Sequence, residues 1–491
     1  MKKIITLIIM ALTAMLTLDA SPDKAPGHGI VVMSDTHLLA PELITPGNAS
    51  RQAEAAEVKM TAMSDSIVSA LIDSIITWQP QTVLITGDLT HNGERASHER
   101  MARHLQRLAS HGIQALVIPG NHDCNNPYAR RYDGDHATPA ATVTREEFAA
   151  IYRDYGYSEP SQRDTASLSY CRELADGLML IAIDSNNDEQ NTLTSRGDSA
   201  DTYHNGGRIK AQTLQWVIER AAQARSRGMR VVAMMHHHLI PHFDQEDRLL
   251  ANYIIEDHDN AAQQLMQAGI HAIFTGHLHV TDAASLYNNE YTDSITEVAT
   301  GSTICYPFAV RVCEYDSDKC AIGIGTRWLT ATAGCPTLRE QGRNRIINAT
   351  PAMAQLLASK VWNAVAPRMG QIKRLLEMGG GTAILPETPQ QASSMVLHHL
   401  SEALSHTMLA VMEGNEGEHG GQEIIEHGQQ GLRAIIDEIA PDGEAGTLWD
   451  FFTESVYPRL EPIARSILED RNAVGTAGER VTDDLNTVIN L

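Results

Sequence analysis

Five short stretches of this 491-residue chain carry side chains of metal-binding type: Asp35-Thr36-His37, Gly87-Asp88, Gly120-Asn121-His122-Asp123, His236-His237-His238 and Gly276-His277-Leu278-His279. Imidazole nitrogens mixed with carboxylate and amide oxygens suit zinc, iron or manganese better than calcium. Asp35, His37, Asp88, Asn121, His236, His277 and His279 are too many donors for one ion once water is counted, and enough for two. Two ions about 3.5 to 4 Å apart clamp both the attacking and the leaving oxygen of an in-line displacement at phosphorus.

Donors scattered over 245 positions need a scaffold that gathers them. Gly29–Met33, Thr82–Thr86, Ala115–Ile118, Leu178–Ile183, Arg230–Met234 and Ala272–Phe274 are short apolar runs that read as buried strands. Stretches with apolar residues at three- and four-residue spacing read as helices over Ala53–Trp78, Glu94–His111, Ala211–Arg227 and Asn260–Ala268. The alternation predicts an α/β architecture with mostly covered sheets. All five donor stretches begin within about three positions of a predicted strand end, and ligands gather at the carboxyl ends of strands in open α/β sheets. Convergence on one site is the expectation.

These motifs, in this order, resemble the calcineurin-like metallophosphoesterases, over roughly residues 28 to 315. The resemblance implies a four-layer α/β sandwich around two mixed sheets and a metal-dependent phosphoric ester hydrolase. It also implies two divalent or trivalent ions (manganese, iron or zinc), with Asp35, His37 and His279 on the first, Asn121, His236 and His277 on the second, and Asp88 bridging them. A metal-bound hydroxide would attack phosphorus, His122 would act as general acid or charge stabiliser, and Asp123 would orient the His122 ring. Gly87-Asp88-Leu89-Thr90-His91-Asn92-Gly93-Glu94 is similar to the branch of bacterial cyclic-nucleotide phosphodiesterases and related exported enzymes. That similarity favours phosphodiesters and makes His91, beside Asn121, a substrate-binding candidate; a helix-capping turn is the alternative for His91. Phosphomonoesterase or protein phosphatase activity, and a metal-binding scaffold without turnover, are the competing readings. Arg130 and Arg131 are candidates for phosphate contact.

After about Pro336 strand-like runs give way to helical stretches at 350–378, 389–413, 420–440 and 446–470, so residues 336–491 read as a helical C-terminal domain following a catalytic domain at 26–335. Met1-Lys2-Lys3 and the apolar run from Ile4 to Leu18 resemble a signal peptide over residues 1–20, which implies export to the periplasm or beyond and no stable membrane span after its removal. Lys and Arg number 38 against 61 Asp and Glu, a formal charge of −23, which argues against general nucleic-acid binding and leaves a small phosphate ester as the partner. The last four of the six cysteines fall close together, either as disulfides or as small core residues. His98, His104 and His111 read as a solvated helix face, as do the tail residues His398, His399, His406, His419, His427, Glu413, Glu416, Glu418, Glu423 and Glu426. Asn186–Gly207 reads as a long surface loop.

Overall fold

The computed structural model describes residues 28–55, 57–191, 202–377, 382–441, 445–469 and 483–491. The predicted signal peptide and the middle of the Asn186–Gly207 loop lie outside the described residues. Two six-stranded sheets carry the fold, with a small three-stranded sheet beside them. The strands of the two large sheets are β1 (His28–Met33), β2 (Thr82–Ile85), β3 (Gln114–Val117), β4 (Tyr170–Ala175), β5 (Leu178–Ile183), β6 (Arg230–Met235), β7 (Ile270–Thr275), β8 (Asp282–Tyr287), β9 (Ser294–Ala299), β10 (Ala309–Asp316), β11 (Ala321–Trp328) and β12 (Asn486–Asn490). The first sheet runs β12-β11-β10-β1-β2-β3 and the second β8-β9-β7-β6-β5-β4.

Both sheets are mixed. β1, β2 and β3 are mutually parallel while β10 lies antiparallel to β1, and β5, β6, β7 and β9 are parallel with β4 and β8 antiparallel at the edges. The central strands are apolar at nearly every position because both faces are covered. Leu180, Ala182, Val232, Met234, Ala272 and Phe274 of the second sheet join the core of the first, whereas their neighbours Ile181, Ile183, Val231, Ala233 and Met235 pack with the helices Ala211–Ser226 and His258–Gln267. The period-two alternation therefore sets sheet against sheet, with helices outside each. On the outer face of the first sheet, the helix Ser64–Trp78 buries Val68, Leu71, Ile72 and Ile75, and Arg95–Ser110 buries Met101, Leu105 and Leu108.

The expected architecture is present, with four local differences. The helix expected over Ala53–Trp78 is interrupted: Asn48–Ala55 ends, Met60 donates its N–H to the Ile304 carbonyl at 2.9 Å, and Ser64–Trp78 begins anew. His98 and His104 are buried, not solvated. His98 Nε2 lies 2.8 Å from the Asp123 carbonyl and Nδ1 3.0 Å from the Tyr152 hydroxyl, while His104 Nε2 is 2.8 Å from Asp65 Oδ1. Glu416 is likewise buried. Strands also recur after Pro336, since β12 pairs antiparallel with β11, from Ala321 opposite Asn490 to Gly325 opposite Asn486.

The helices Leu338–Val365, Met369–Glu377, Pro389–Glu413, Gly421–Ile439 and Tyr457–Leu468 form the C-terminal region. It joins the α/β part through a shared apolar cluster in which Leu338, Ile346, Leu409 and Met412 pack on Met60, Ile67, Ile304 and Phe308. All six cysteines are free, and only Cys320 is not buried. Among the described residues no helix is long and apolar enough to cross a membrane.

Candidate metal centre

The parallel runs β1-β2-β3 and β6-β7 bring the ends of five strands to one edge. Main-chain bonds lace the following loops together: Asp35 N–H to the Gly87 carbonyl at 3.1 Å, His37 N–H to the Asp88 carbonyl at 2.9 Å, and Gly276 N–H to the His236 carbonyl at 3.1 Å. The chain turns so sharply after these strands that Asp35, His37, Asp88, His277 and His279 all hold positive φ, between 35° and 69°. Non-glycine residues seldom adopt that region, and such strain persists where surrounding contacts over-determine it.

Close approach dictates the glycines of the motifs. A Cβ on Gly276 would lie 1.9 Å from Ser34 Oγ and 2.4 Å from Asp35 Oδ2, and one on Gly120 would lie 2.2 Å from Asp88 Oδ1. Gly276→Ala should therefore displace the Asp35 carboxylate, costing about 1–3 kcal/mol of stability as overpacking does. Thermal melting together with metal content checks this; an unchanged melting temperature and unchanged metal would refute the steric argument.

Three groups of donors result, each with its atoms within 4.8 Å of one another: Asp35, His37 and His279; His37, Asp88 and His122; Asp88, His236 and His277. Asp88 Oδ2 is 3.6 Å from His37 Nε2, 3.4 Å from His236 Nε2 and 3.9 Å from His122 Nε2. Asp35 Oδ1 is 3.2 Å from His279 Nε2 and 3.7 Å from His37 Nε2. Asn121 Oδ1 sits 3.0 Å from His236 Nε2. The structure thus brings together all seven residues picked out as donors.

These residues fit cations better than they fit one another. Asp35 Oδ1 is a buried carboxylate oxygen with no hydrogen-bond partner. His37 Nε2 and His279 Nε2 face each other at 3.1 Å, nitrogen to nitrogen. Outer partners hold several other atoms: Asp35 Oδ2 accepts from Ser34 Oγ at 2.5 Å and from His277 N–H at 2.9 Å, His236 Nδ1 faces the Thr86 carbonyl at 2.9 Å, and His277 Nε2 faces the Asn252 carbonyl at 3.1 Å. A ring nitrogen tied to a carbonyl leaves the other free for a metal. Burial depresses the pKa of His277, with the neighbouring His237 and His236 adding to it, and burial followed by Lys59 depresses that of His37, so both rings are neutral. Burial opposes charge on His236 and His279 too, but Asp88 pushes the first up to about 9 and Asp35 the second up to about 10. The two carboxylates make a field that calls for positive charge at this point.

The family model for calcineurin-like phosphoesterases matches residues 28–281 of this chain. The chain belongs to the calcineurin-like phosphoesterase family. It is a metal-dependent phosphoric ester hydrolase. No curated protein matches it in sequence. Among solved structures it is similar to a dimetal phosphatase from Danio rerio (12% identity, TM-score 0.41, covering 62% of this chain and 97% of that one). Others are a sulfate thiohydrolase, SoxB, from Thermus thermophilus (13%, 0.33, 72% and 62%) and an NAD nucleotidase from Haemophilus influenzae (11%, 0.32, 58% and 46%).

Around the donors of this phosphoesterase the structure departs from expectation at Asp123. Its carboxylate does not meet the His122 ring. It accepts the N–H groups of Leu89, Thr90 and Gly120 at 3.1, 2.9 and 2.9 Å and the Thr90 hydroxyl at 2.8 Å, which staples the Asp88 loop to the Asn121 loop. The His122 ring is oriented by the His91 carbonyl and Asn92 Oδ1, 2.7 and 3.0 Å from Nδ1. The His91 ring itself is buried and lies 4.0 Å from Glu57, so the loop's main chain, not its imidazole, faces His122. Arg130 donates to the Pro127 and Ala129 carbonyls and Arg131 to that of Glu42, which turns both guanidinium groups away to main-chain partners.

Three residues near the centre carry no sequence signal. Lys59, 12% exposed and 3.7 Å from Glu57, adds to burial in lowering the proton affinity of His37, His91 and His122. The Tyr203 hydroxyl accepts a hydrogen bond from the Asn121 amide, and its ring lies 6.0 Å from that of His122 and 5.4 Å from that of Tyr128. Tyr128 and Tyr203 come from irregular segments that no motif marks, and Lys59 from the interruption in the expected Ala53–Trp78 helix.

Proposed function

We propose that this enzyme is an exported phosphodiesterase whose two cations are held by Asp35, His37 and His279 on one side and Asn121, His236 and His277 on the other, with Asp88 between them. The observation that carries the reading is the position of Asp88 Oδ2, within 3.6 Å of imidazole nitrogens from both groups. When bound, the cations supply Lewis acidity at the phosphoryl oxygens and activate water as the nucleophile.

The chain's own residues do the rest. His122 N–H donates to Asp88 Oδ1 at 2.8 Å, so the bridging carboxylate is fixed by the loop that carries the candidate acid. A carbonyl oxygen only accepts, so the contact with His91 puts a proton on His122 Nδ1 and leaves Nε2 facing the centre. With Nδ1 already protonated, Nε2 holds a proton for the departing oxygen only in the imidazolium form, which burial opposes and the Asp88 carboxylate favours. Tyr128, 45% exposed, and Tyr203 set an aromatic wall beside His122, suited to an organic substituent on the leaving side. Such a wall, together with the Thr90-His91-Asn92-Gly93 loop, supports the diester reading, and neither Arg130 nor Arg131 offers the additional anion clamp of a protein phosphatase.

After burial, the positive charge of Lys59 helps to lower the pKa of both His37 and His122, and we assign Lys59 to the substrate phosphate. A charge-assisted hydrogen bond contributes about 1.5–3 kcal/mol, so Lys59→Met should raise KM on the order of tenfold or more. Unaltered steady-state constants would remove Lys59 from the site.

The deciding experiment pairs metal analysis with hydrolysis of an aryl phosphodiester and the matching monoester by residues 21–491, after loading with manganese, zinc or iron. Faster diester turnover at about two ions per chain supports the proposal. A monoester preference would replace it with a phosphomonoesterase, and a metal-loaded protein inert to both would return the scaffold reading. Cell fractionation with N-terminal sequencing of the mature protein tests export, which an intact Met1 on a cytosolic product would refute.

A further inference from the structure

A second group of buried donors lies outside the dinuclear centre. Beyond the end of β6 at Met235 the chain runs through His236 to His238, the loop turns back so that His242 comes alongside, and Glu297 enters from β9. All three are buried with 0 to 2% exposure, their donor atoms lie within 4.8 Å of one another, and the two imidazole rings are 4.4 Å apart. Asp282, at the start of β8, stands at the edge, with Oδ2 3.0 Å from His242 Nδ1.

Hydrogen bonding leaves three ring nitrogens of this cluster unexplained. His238 Nε2 and both ring nitrogens of His242 are buried without a hydrogen-bond partner. His242 Nε2 and Glu297 Oε1 are 3.4 Å apart but are not aligned as donor and acceptor. Two ligands at about 2.1 Å from a tetrahedral ion stand about 3.4 Å apart and point at the ion instead of at each other, which is the relation seen here. Charge points the same way. Three carboxyl groups, from Glu246, Asp282 and Glu297, surround two imidazoles, and among the described residues no lysine or arginine forms an ion pair with any of them. The guanidinium of nearby Arg311 is spent on the carbonyls of Ala299, Asp282 and Asp484 and on the Thr326 hydroxyl.

The surroundings are built as metal sites are built. Glu246 Oε1 lies 3.0 Å from His238 Nδ1, and its Oε2 accepts the main-chain N–H of His242 at 2.6 Å, which fixes the His238 ring and the backbone that carries His242. Glu297 Oε2 accepts from Leu239 and Ile240 N–H at 2.8 and 2.7 Å, and Oε1 from Thr275 Oγ1 at 2.6 Å. Ligating histidines and carboxylates characteristically carry such outer partners.

We propose that His238, His242 and Glu297, with Asp282 available as a fourth ligand, bind one further cation, zinc by its ligand types, in a closed structural site. The ion ties the loop after His236 to β9. That loop supplies the Asn252 carbonyl facing His277 and, through Asp244 N–H to Ser466 Oγ at 3.0 Å, meets the C-terminal helix Tyr457–Leu468. The third ion would thus hold the imidazole of a catalytic-centre ligand and the helical region in one frame.

Elemental analysis of tag-free full chain tests this. The variant Asp35→Ala/Asp88→Ala/His277→Ala, which lacks donors from both halves of the dinuclear centre, should retain about one zinc per chain after loading and gel filtration, and adding His242→Ala should remove it. Loss of all zinc from the folded triple variant, or its retention after His242→Ala, would overturn the proposal. Should these variants fail to fold, anomalous diffraction at the zinc edge from crystals of the unaltered protein decides the question. A peak between His238, His242 and Glu297 supports a third site, and zinc in the dinuclear centre with none at that position overturns it.

Discussion

Asp88→Ala should abolish turnover and empty the centre in one step. Among the described residues its carboxylate alone reaches imidazole nitrogens of both donor groups, His37 Nε2 at 3.6 Å and His236 Nε2 at 3.4 Å. It is fully buried, and although burial alone would raise its pKa, His236 and His122 hold it well below the ordinary carboxylate range, so it is an anion. Without it, Asp35 is left as the single carboxylate donor facing two bound cations. Metal ions contribute several kcal/mol to stabilising the charge of the transition state, so activity should fall on the order of 10³-fold or more. Metal content measured on the same preparation separates this from a local defect. If Asp88→Ala keeps both ions at full occupancy, Asp88 does not bridge them and the centre must be redrawn.

The strands and the order of donors were legible because each rests on a local rule. β5 and β6 are apolar at nearly every position since both faces are covered, and a donor after the last apolar residue must then lie at the sheet edge. What was not legible depends on contacts distant in sequence. A polar residue on an amphipathic helix reads as outward-facing, yet His98 points inward because the Asp123 carbonyl and Tyr152 hydroxyl satisfy its two nitrogens. Asp123 adjoins His122 in sequence, but the Leu89, Thr90 and Gly120 N–H groups converge on its carboxylate from another loop. β12 is five residues of modest apolarity, Asn486-Thr487-Val488-Ile489-Asn490, and becomes a strand only because β11 offers it an open edge. Lys59 and Tyr203 reach the centre from irregular chain, where no period betrays direction.

His122→Ala should separate chemistry from metal binding. In the assigned arrangement His122 Nε2, 3.9 Å from Asp88 Oδ2, faces the centre without belonging to either set of three donors, so both ions should remain when the ring is removed. A general acid contributes about 10²–10⁴-fold, and that contribution depends on how badly the departing oxygen needs a proton. A nitrophenolate leaves readily as an anion, so with a nitrophenyl diester the loss should sit at or below the lower end of the range. An alkoxide does not, so an ester with an alkyl or ribose leaving group should lose close to the upper end. His122→Gln keeps a polar group but supplies no acid and should behave as the alanine variant does. The ratio of kcat/KM losses between the two leaving groups is thus the measurement, taken with metal content as control. Equal losses for both would identify His122 as a stabiliser of phosphoryl charge instead of a proton donor, because the charge on the equatorial oxygens is present whichever group departs. Loss of a metal ion would place His122 among the ligands, where its 3.9 Å approach to Asp88 also admits it to the group formed with His37.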